Sequence, residues 1–259
     1  MRNKDAAAFE ESTGNENPAA KPINSTTQVA SGHKSRGRVR KSLKLLLYGA
    51  AALVAIAMVA HLGYTYSGSA RWENLGVRDG VTVYSMKSPG ASLRTFKAVW
   101  KIRSTLTKFA MFAQDETLDL GNYGVREFDQ DDKTHVIYSV WKHDFPWPFK
   151  PREFVTRNEF SQDSKTKAFL YKVIAAPDKV PPDECCHRIA VMNNSWLLTP
   201  LGNGEISVEW IVDMDVGLPY FVTNPMLADV MYSFAPQVQK LLDAEKNYNG
   251  YYDWIEEVQ

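Results

Sequence analysis

Residues 134–160, THVIYSVWKHDFPWPFKPREFVTRNEF, carry the pattern on which the fold turns. In the first part Val136, Tyr138 and Val140 alternate with Ile137, Ser139 and Trp141, so a strand of period two has two apolar faces. A sheet that covers a core on one side only should leave a clean polar face. Two apolar faces imply a helix layer outside, a cavity inside, or both. The Pro146-Trp147-Pro148 turn then leads into a second β-branched and aromatic run, REFVTRNEF.

Outward from this stretch the same chemistry repeats. VTVYSMK (81–87) and RTFKAVWKIR (94–103) read as strands around a Ser88-Pro89-Gly90 turn. GVREFDQ precedes the stretch. TKAFLYKVIAA, CHRIAVMNNSWLLTPL and EISVEWIVDMDV follow it, broken by short turns and the Pro-rich loop PDKVPPDE. Short turns join sequence neighbours, so an antiparallel sheet is expected, with adjacent strands paired. Between them STLTKFAMFAQD reads as a helix with Leu106, Phe109, Ala110 and Ala113 on one face and Ser104 as N-cap.

The end of the chain changes period. Asn224 is read as a cap and Pro225 as the first helical residue. Leu227, Val230, Met231, Phe234, Val238, Leu241 and Leu242 then recur every 3.6 residues, with a kink expected at Pro236. That apolar face needs a partner, and the sheet is the large one available. The expected fold is α+β, a curved antiparallel sheet gripping one long C-terminal helix.

The 259 residues carry 30 basic and 30 acidic side chains, but unevenly. Residues 1–44 are net +5, residues 45–70 carry no formal charge, and residues 71–259 are net −5. A mildly acidic domain argues against a nucleic-acid binder, which must neutralise phosphates. Segment 1–44 is rich in small and polar residues and is expected to be a disordered, basic lead-in. Its basic run, Lys34, Arg36, Arg38, Arg40, Lys41 and Lys44, is expected to be a topology signal rather than a polybasic lipid contact.

That run abuts an uncharged stretch from Leu45 that ends in Tyr64 and Tyr66. Twenty such residues make a helix of about 30 Å, the thickness of a bilayer's hydrocarbon core. Residues 45–66 are expected to form a transmembrane signal anchor. A cleaved signal peptide, with Gly68-Ser69-Ala70 as its cleavage site, competes. The long polar preamble and the length of the apolar stretch argue against it. By the positive-inside rule the N-terminus is cytosolic and residues 71–259 form an extracytoplasmic domain.

Four segments resemble START domains, the lipid-transfer domains related to the steroidogenic acute regulatory protein. Pro146-Trp147-Pro148 with Arg152-Glu153-Phe154-Val155 and Arg157 is similar to the family's Pro-Trp-Pro turn and the strand after it. Trp196 to Leu201 with Gly204, Leu218 to Asn224, and Asp79-Gly80-Val81 with Val83-Tyr84 match in order and spacing. Two departures stand out: a single Gly217 replaces a Gly-Gly pair, and LDLGNYG (118–124) replaces a Trp-Asp pair. The resemblance implies a helix-grip fold, with residues 71–259 holding one lipid or sterol-like ligand.

The expected function is membrane-anchored lipid binding or transfer, with a lipid and the bilayer as partners. Neither a cofactor nor a metal is implied, and no enzyme activity is expected. An aromatase/cyclase-like enzyme using the same cavity is the alternative, for which His143, Tyr138 and Arg157 are the available group. No HxH or HExxH spacing and no G-x-S-x-G elbow occurs. Candidate cavity residues are Trp141, His143, Arg157, Met192, Trp196, Trp210 and Met231. Aromatic strand residues are more often plain core, and a strand Arg usually faces solvent. That solvated reading is favoured for Arg188. Arg157, if buried, would need an acid such as Asp144 or Glu209. Cys185 and Cys186 are expected to be two thiols, and the sequon at Asn193 to be unused within its strand.

Overall fold

A computed structural model describes residues 35–115, 120–244, 248 and 250–258. The chain divides into two compact units, residues 1–55 and 56–259. The first 34 residues of the expected disordered lead-in lie outside the described residues. From Ser35 the chain is helical: α1 runs Ser35–Tyr66, so the basic residues from Arg36 to Lys44 stand on a helix rather than in an irregular segment. Arg, Lys and Leu are good helix formers, and an existing helix extends at one hydrogen bond per residue. Within α1, an 18-residue window of Arg40–Tyr66 reaches a mean hydropathy of 2.2 with none of that window buried, so the helix is long and apolar enough to cross a membrane.

The second unit is a sheet gripping a helix. Its strands are β1 (Trp72–Arg78), β2 (Val81–Met86), β3 (Thr95–Arg103), β4 (Asn122–Asp131), β5 (Val136–His143), β6 (Arg152–Gln162), β7 (Phe169–Ala175), β8 (His187–Arg188), β9 (Val191–Gly202), β10 (Glu205–Val212) and β11 (Met214–Asp215). Helix α2 spans Leu106–Ala113 and α3 spans Tyr220–Ala244. The strand order is β1-β2-β3-β10-β9-β7-β6-β5-β4, with β8 on β6 and β11 on β9. Most pairings follow sequence neighbours, as expected; β7 skips the short β8 to pair with β9, β11 returns to β9, and the largest departure is where α2 intervenes. There β3 pairs with β10 instead of β4, and α2 carries the chain to the far edge. The short β8 runs parallel to β6, an exception to the expected antiparallel sheet.

Two hairpins turn on Asp79-Gly80 and Asn203-Gly204, both residues of each pair having positive φ. That is the geometry of a type I′ turn, whose twist matches that of the flanking strands. Strand β1 escaped the sequence reading because it is an edge strand with little burial and therefore no alternation. Its register breaks between Asn74 and Gly76, where the Asn74 side chain accepts the Gly76 N–H at 2.7 Å.

Helix α3 packs on the sheet through Leu227, Met231, Ala235, Val238 and Leu242, all buried. At about 1.5–3 kcal/mol per large apolar side chain, this face is a main source of fold stability. The helix begins at Tyr220, four residues before the expected Asn224 cap. The amides of Val222 and Thr223 bond the Pro219 carbonyl, so a turn is already closed before Pro225. Asn224 instead accepts the Arg94 N–H at 3.0 Å and donates to Tyr64 Oη at 2.9 Å. Pro236 lies inside α3 without ending it.

Helix α2 is capped by Thr105, whose hydroxyl accepts the Lys108 N–H at 3.1 Å, and not by Ser104. Glu257 completes the cap from the far end of the chain: its carboxylate accepts the Leu106 and Thr107 amides at 3.0 and 2.7 Å. Within the same unit the last turn of α1 is closed by Lys87, which is 3% exposed. Its ammonium donates to the Thr65 and Ser67 carbonyls at 3.1 and 2.6 Å, where a helix C-terminus favours positive charge.

Candidate functional site

A cavity of about 410 Å³ lies between α3 and the concave face of the sheet. Its position follows from strand parity. On β6 the even-numbered Phe154, Asn158 and Phe160 line the cavity, and Val173 and Met192 join them from β7 and β9. From above, α3 supplies Met226, Leu227, Val230 and Phe234. Phe109 and Phe112 of α2 close another wall.

The aromatic rings line the space rather than fill it. They pack against one another: Trp196 on Trp210 at 4.7 Å between centroids, Trp210 on Phe234 at 5.1 Å, Trp141 on Phe154 at 3.8 Å. Paired rings hold each other upright, so the volume between them stays open.

Five of the expected site residues, Trp141, His143, Met192, Trp196 and Trp210, share this lining. Met231 is wholly buried in the core beneath α3 and is not among the residues that line the cavity. Arg157 is also outside the lining. Its half-exposed side chain pairs with Glu159, two residues along the same strand. The partners considered from sequence are engaged elsewhere: Asp144 accepts from Tyr123 Oη at 3.0 Å, and Glu209 meets Lys97 at 3.3 Å. Of the group considered for an enzyme, only His143 lines the cavity, and its Nδ1 meets Asn122 Oδ1 at 3.1 Å rather than an acid.

The two strand arginines exchange the environments expected of them. Arg188, read as solvated, is 12% exposed and pairs with the buried Glu153 at 2.8 Å. It also donates to the carbonyls of Pro177, Val180 and Pro181, pinning loop 176–186 over the outer face of β6. That loop accounts for the second apolar face of these strands: Val155 is fully buried, and Ala176 N–H bonds its carbonyl at 2.8 Å. In the same loop Cys185 and Cys186 form a vicinal disulfide, against the expectation of two thiols. Among the described residues no group of His, Cys, Asp and Glu could hold a metal ion.

The sequence reading missed the polar part of the cavity, where Ser139, Asn158 and Tyr171 line the wall and Thr156 is buried beside them outside the lining. Ser139 Oγ meets Thr156 Oγ1 at 2.8 Å, and Asn158 Nδ2 donates to Ser139 Oγ at 2.8 Å. Asn158 Oδ1 also receives longer bonds of 3.4 Å from Thr156 Oγ1 and Tyr171 Oη. Burial pushes the Tyr171 phenol well above its ordinary value, and the nearby Glu127 carboxylate adds to the shift. Parity was the available signal: Thr156 and Asn158 alternate in phase with Phe154 and Phe160, whereas Arg157 is out of phase with them.

Neither a family model nor a curated protein sequence matches the chain. Solved structures do. The STAR-related lipid transfer protein from Xanthomonas axonopodis is 18% identical with a TM-score of 0.61, over 66% of this chain and 98% of that one. The human StarD13 lipid transfer and protein localization domain gives 13% identity and a TM-score of 0.61, over 73% and 97%. Human StAR-related lipid transfer protein 5 gives 16% and 0.57, over 76% and 97%. The chain therefore has a START-like helix-grip fold, a large antiparallel sheet wrapped on a C-terminal helix.

Proposed function

We propose that this chain is a membrane-anchored lipid-binding or lipid-transfer protein. In this reading α1 crosses the bilayer, its basic N-terminal end is cytosolic, and residues 71–259 hold one lipid or sterol-like molecule on the extracytoplasmic side. The observation that carries the reading is the open, largely apolar space of about 410 Å³ between α3 and the sheet. Each CH₂ moved from water into such a space contributes about 0.8 kcal/mol, so an acyl tail or sterol body supplies its own affinity. Trp141, Trp196, Trp210 and Met192 would form the apolar wall, with His143 toward Asn122. That the similar solved structures are called lipid transfer proteins supports the same reading.

Native mass spectrometry of the full chain, released from detergent, tests it. The expected result is a stoichiometric adduct in the mass range of a single lipid. A chain that stays empty in cells and ignores added vesicles would sink the proposal. Protease protection on sealed vesicles tests the topology separately, through digestion of residues 71–259 from one side only.

A further inference from the structure

Residues 56–66 of α1 belong to the same compact unit as the sheet. From Arg40 to Gly63 every side chain of α1 is exposed, whereas Tyr64 and Thr65 are half-buried. The Tyr64 ring stacks on Tyr220 at 4.4 Å between centroids, and His61 lies on the same ring at 5.6 Å. Asn224 Nδ2 donates to Tyr64 Oη at 2.9 Å, and Lys87 Nζ stands 4.7 Å from the centre of the Tyr64 ring. Thr65 Oγ1 meets Ser92 Oγ at 2.9 Å, and the Thr65 carbonyl accepts the Gly90 N–H at 2.9 Å beside the Lys87 ammonium. The apolar helix thus ends in a socket made by the β2–β3 connection and the first turns of α3.

The chain that leaves the socket is held too. Only residues 67–71 separate α1 from β1. Fully extended they would reach about 17 Å, but they are folded back as a turn. Ser67 N–H bonds the Gly63 carbonyl at 3.0 Å, and Ala70 N–H bonds that of Lys87 at 3.1 Å. Between them Gly68 has a φ of +114°, and a Cβ there would stand 2.4 Å from the Lys87 carbonyl oxygen. Stacked rings and hydrogen bonds are weak singly. Tied at both ends by one chain, they act at high effective concentration and stay closed together.

The socket adjoins the cavity. Met226, Leu227 and Val230 line the cavity from α3. They follow Asn224 by two to six residues, about 3–9 Å along the helix. Resting on the reading that α1 crosses a bilayer and the cavity holds a lipid, we propose that the end of α1 is a fixed part of the lipid-binding unit. The cavity therefore loads and unloads in the bilayer that α1 crosses, and it does not ferry lipid to a second membrane.

Two measurements on the full-length chain test this. The first places Thr65→Cys with Ser92→Cys in phosphatidylcholine nanodiscs under mild oxidation and reads the new disulfide by peptide mass. Nearly every molecule is expected to close; closure in a small minority overturns the inference. The second uses vesicles of the expression host's total lipid extract and, as probe, the same extract fully deuterated. The probe enters either the protein's own vesicles, by cyclodextrin exchange, or separate vesicles, and native mass spectrometry follows heavy lipid into the bound adduct.

Uptake from the protein's own bilayer is expected to be faster by roughly tenfold or more. Tyr64→Ala, with a Gly/Ser insertion of about 20 residues after Ser69 that spans roughly 25 Å, is expected to raise uptake from separate vesicles several-fold. Equal uptake from both sources in the unmodified chain overturns the inference while leaving lipid binding intact. An adduct in neither case overturns lipid binding, and the inference with it. Should the insertion variant fail to fold, the cross-link and the two rates of the unmodified chain carry the test.

Discussion

Arg188 Nε lies 2.8 Å from Glu153 Oε2, and the two side chains are 12% and 5% exposed. Glu153 also accepts the Asp183 N–H at 3.2 Å, so one carboxylate ties β6 both to the covering loop and to the arginine that holds it. Removing one member of a buried pair strands the other charge, at about 3–5 kcal/mol. Glu153→Ala is expected to lose stability on that scale in urea unfolding of the full chain in detergent. Arg157→Ala, at a half-exposed pair, is expected to lose under about 0.5 kcal/mol. Similar losses from both variants would contradict the difference in burial.

Glu257 acts as an N-terminal cap for a helix about 150 residues upstream. Glu257→Ala is expected to cost about 1 kcal/mol, the usual worth of an N-cap side chain. The effect should be local, because Thr105 still holds the Lys108 amide. Hydrogen exchange of the 104–113 segment should quicken while that of β9 and β10 does not. Unchanged protection across α2 would show that the carboxylate contributes nothing there.

Tyr171 gives the fold an alkaline limit. Its folded-state pKa is raised by burial, so the folded chain binds this proton more tightly than the unfolded chain does. The stabilisation is whole below the unfolded value of about 10 and is lost as pH rises from there toward the folded value. The urea midpoint should therefore drop above about pH 10. Tyr171→Phe should show a shallower drop, and identical alkaline slopes in the two proteins would refute the assignment.

Much of the strand content and the long terminal helix were legible because alternation and the 3.6 period are local properties. The apolar stretch of α1 was legible for the same reason. The cavity itself was foreshadowed by the two apolar faces of β5. Face assignment was harder. Arg157 belongs to the REFVTRNEF run whichever way the strand faces, and only pairing with β5 and β7 puts Asn158 inward and Arg157 outward. The start of α3 was misplaced because Asn224, a good capping residue, is drawn off by Arg94 and Tyr64 far away in the chain.

By itself the sequence determined an apolar helix ahead of an antiparallel sheet and a closing amphipathic helix. Short-range patterning of apolar side chains is enough for that. Only the tertiary structure decided which side chains face the hollow, which arginine is buried, and how the end of the chain caps α2. Those outcomes depend on register and on contacts between residues as far as 160 positions apart, and no local window of sequence encodes them.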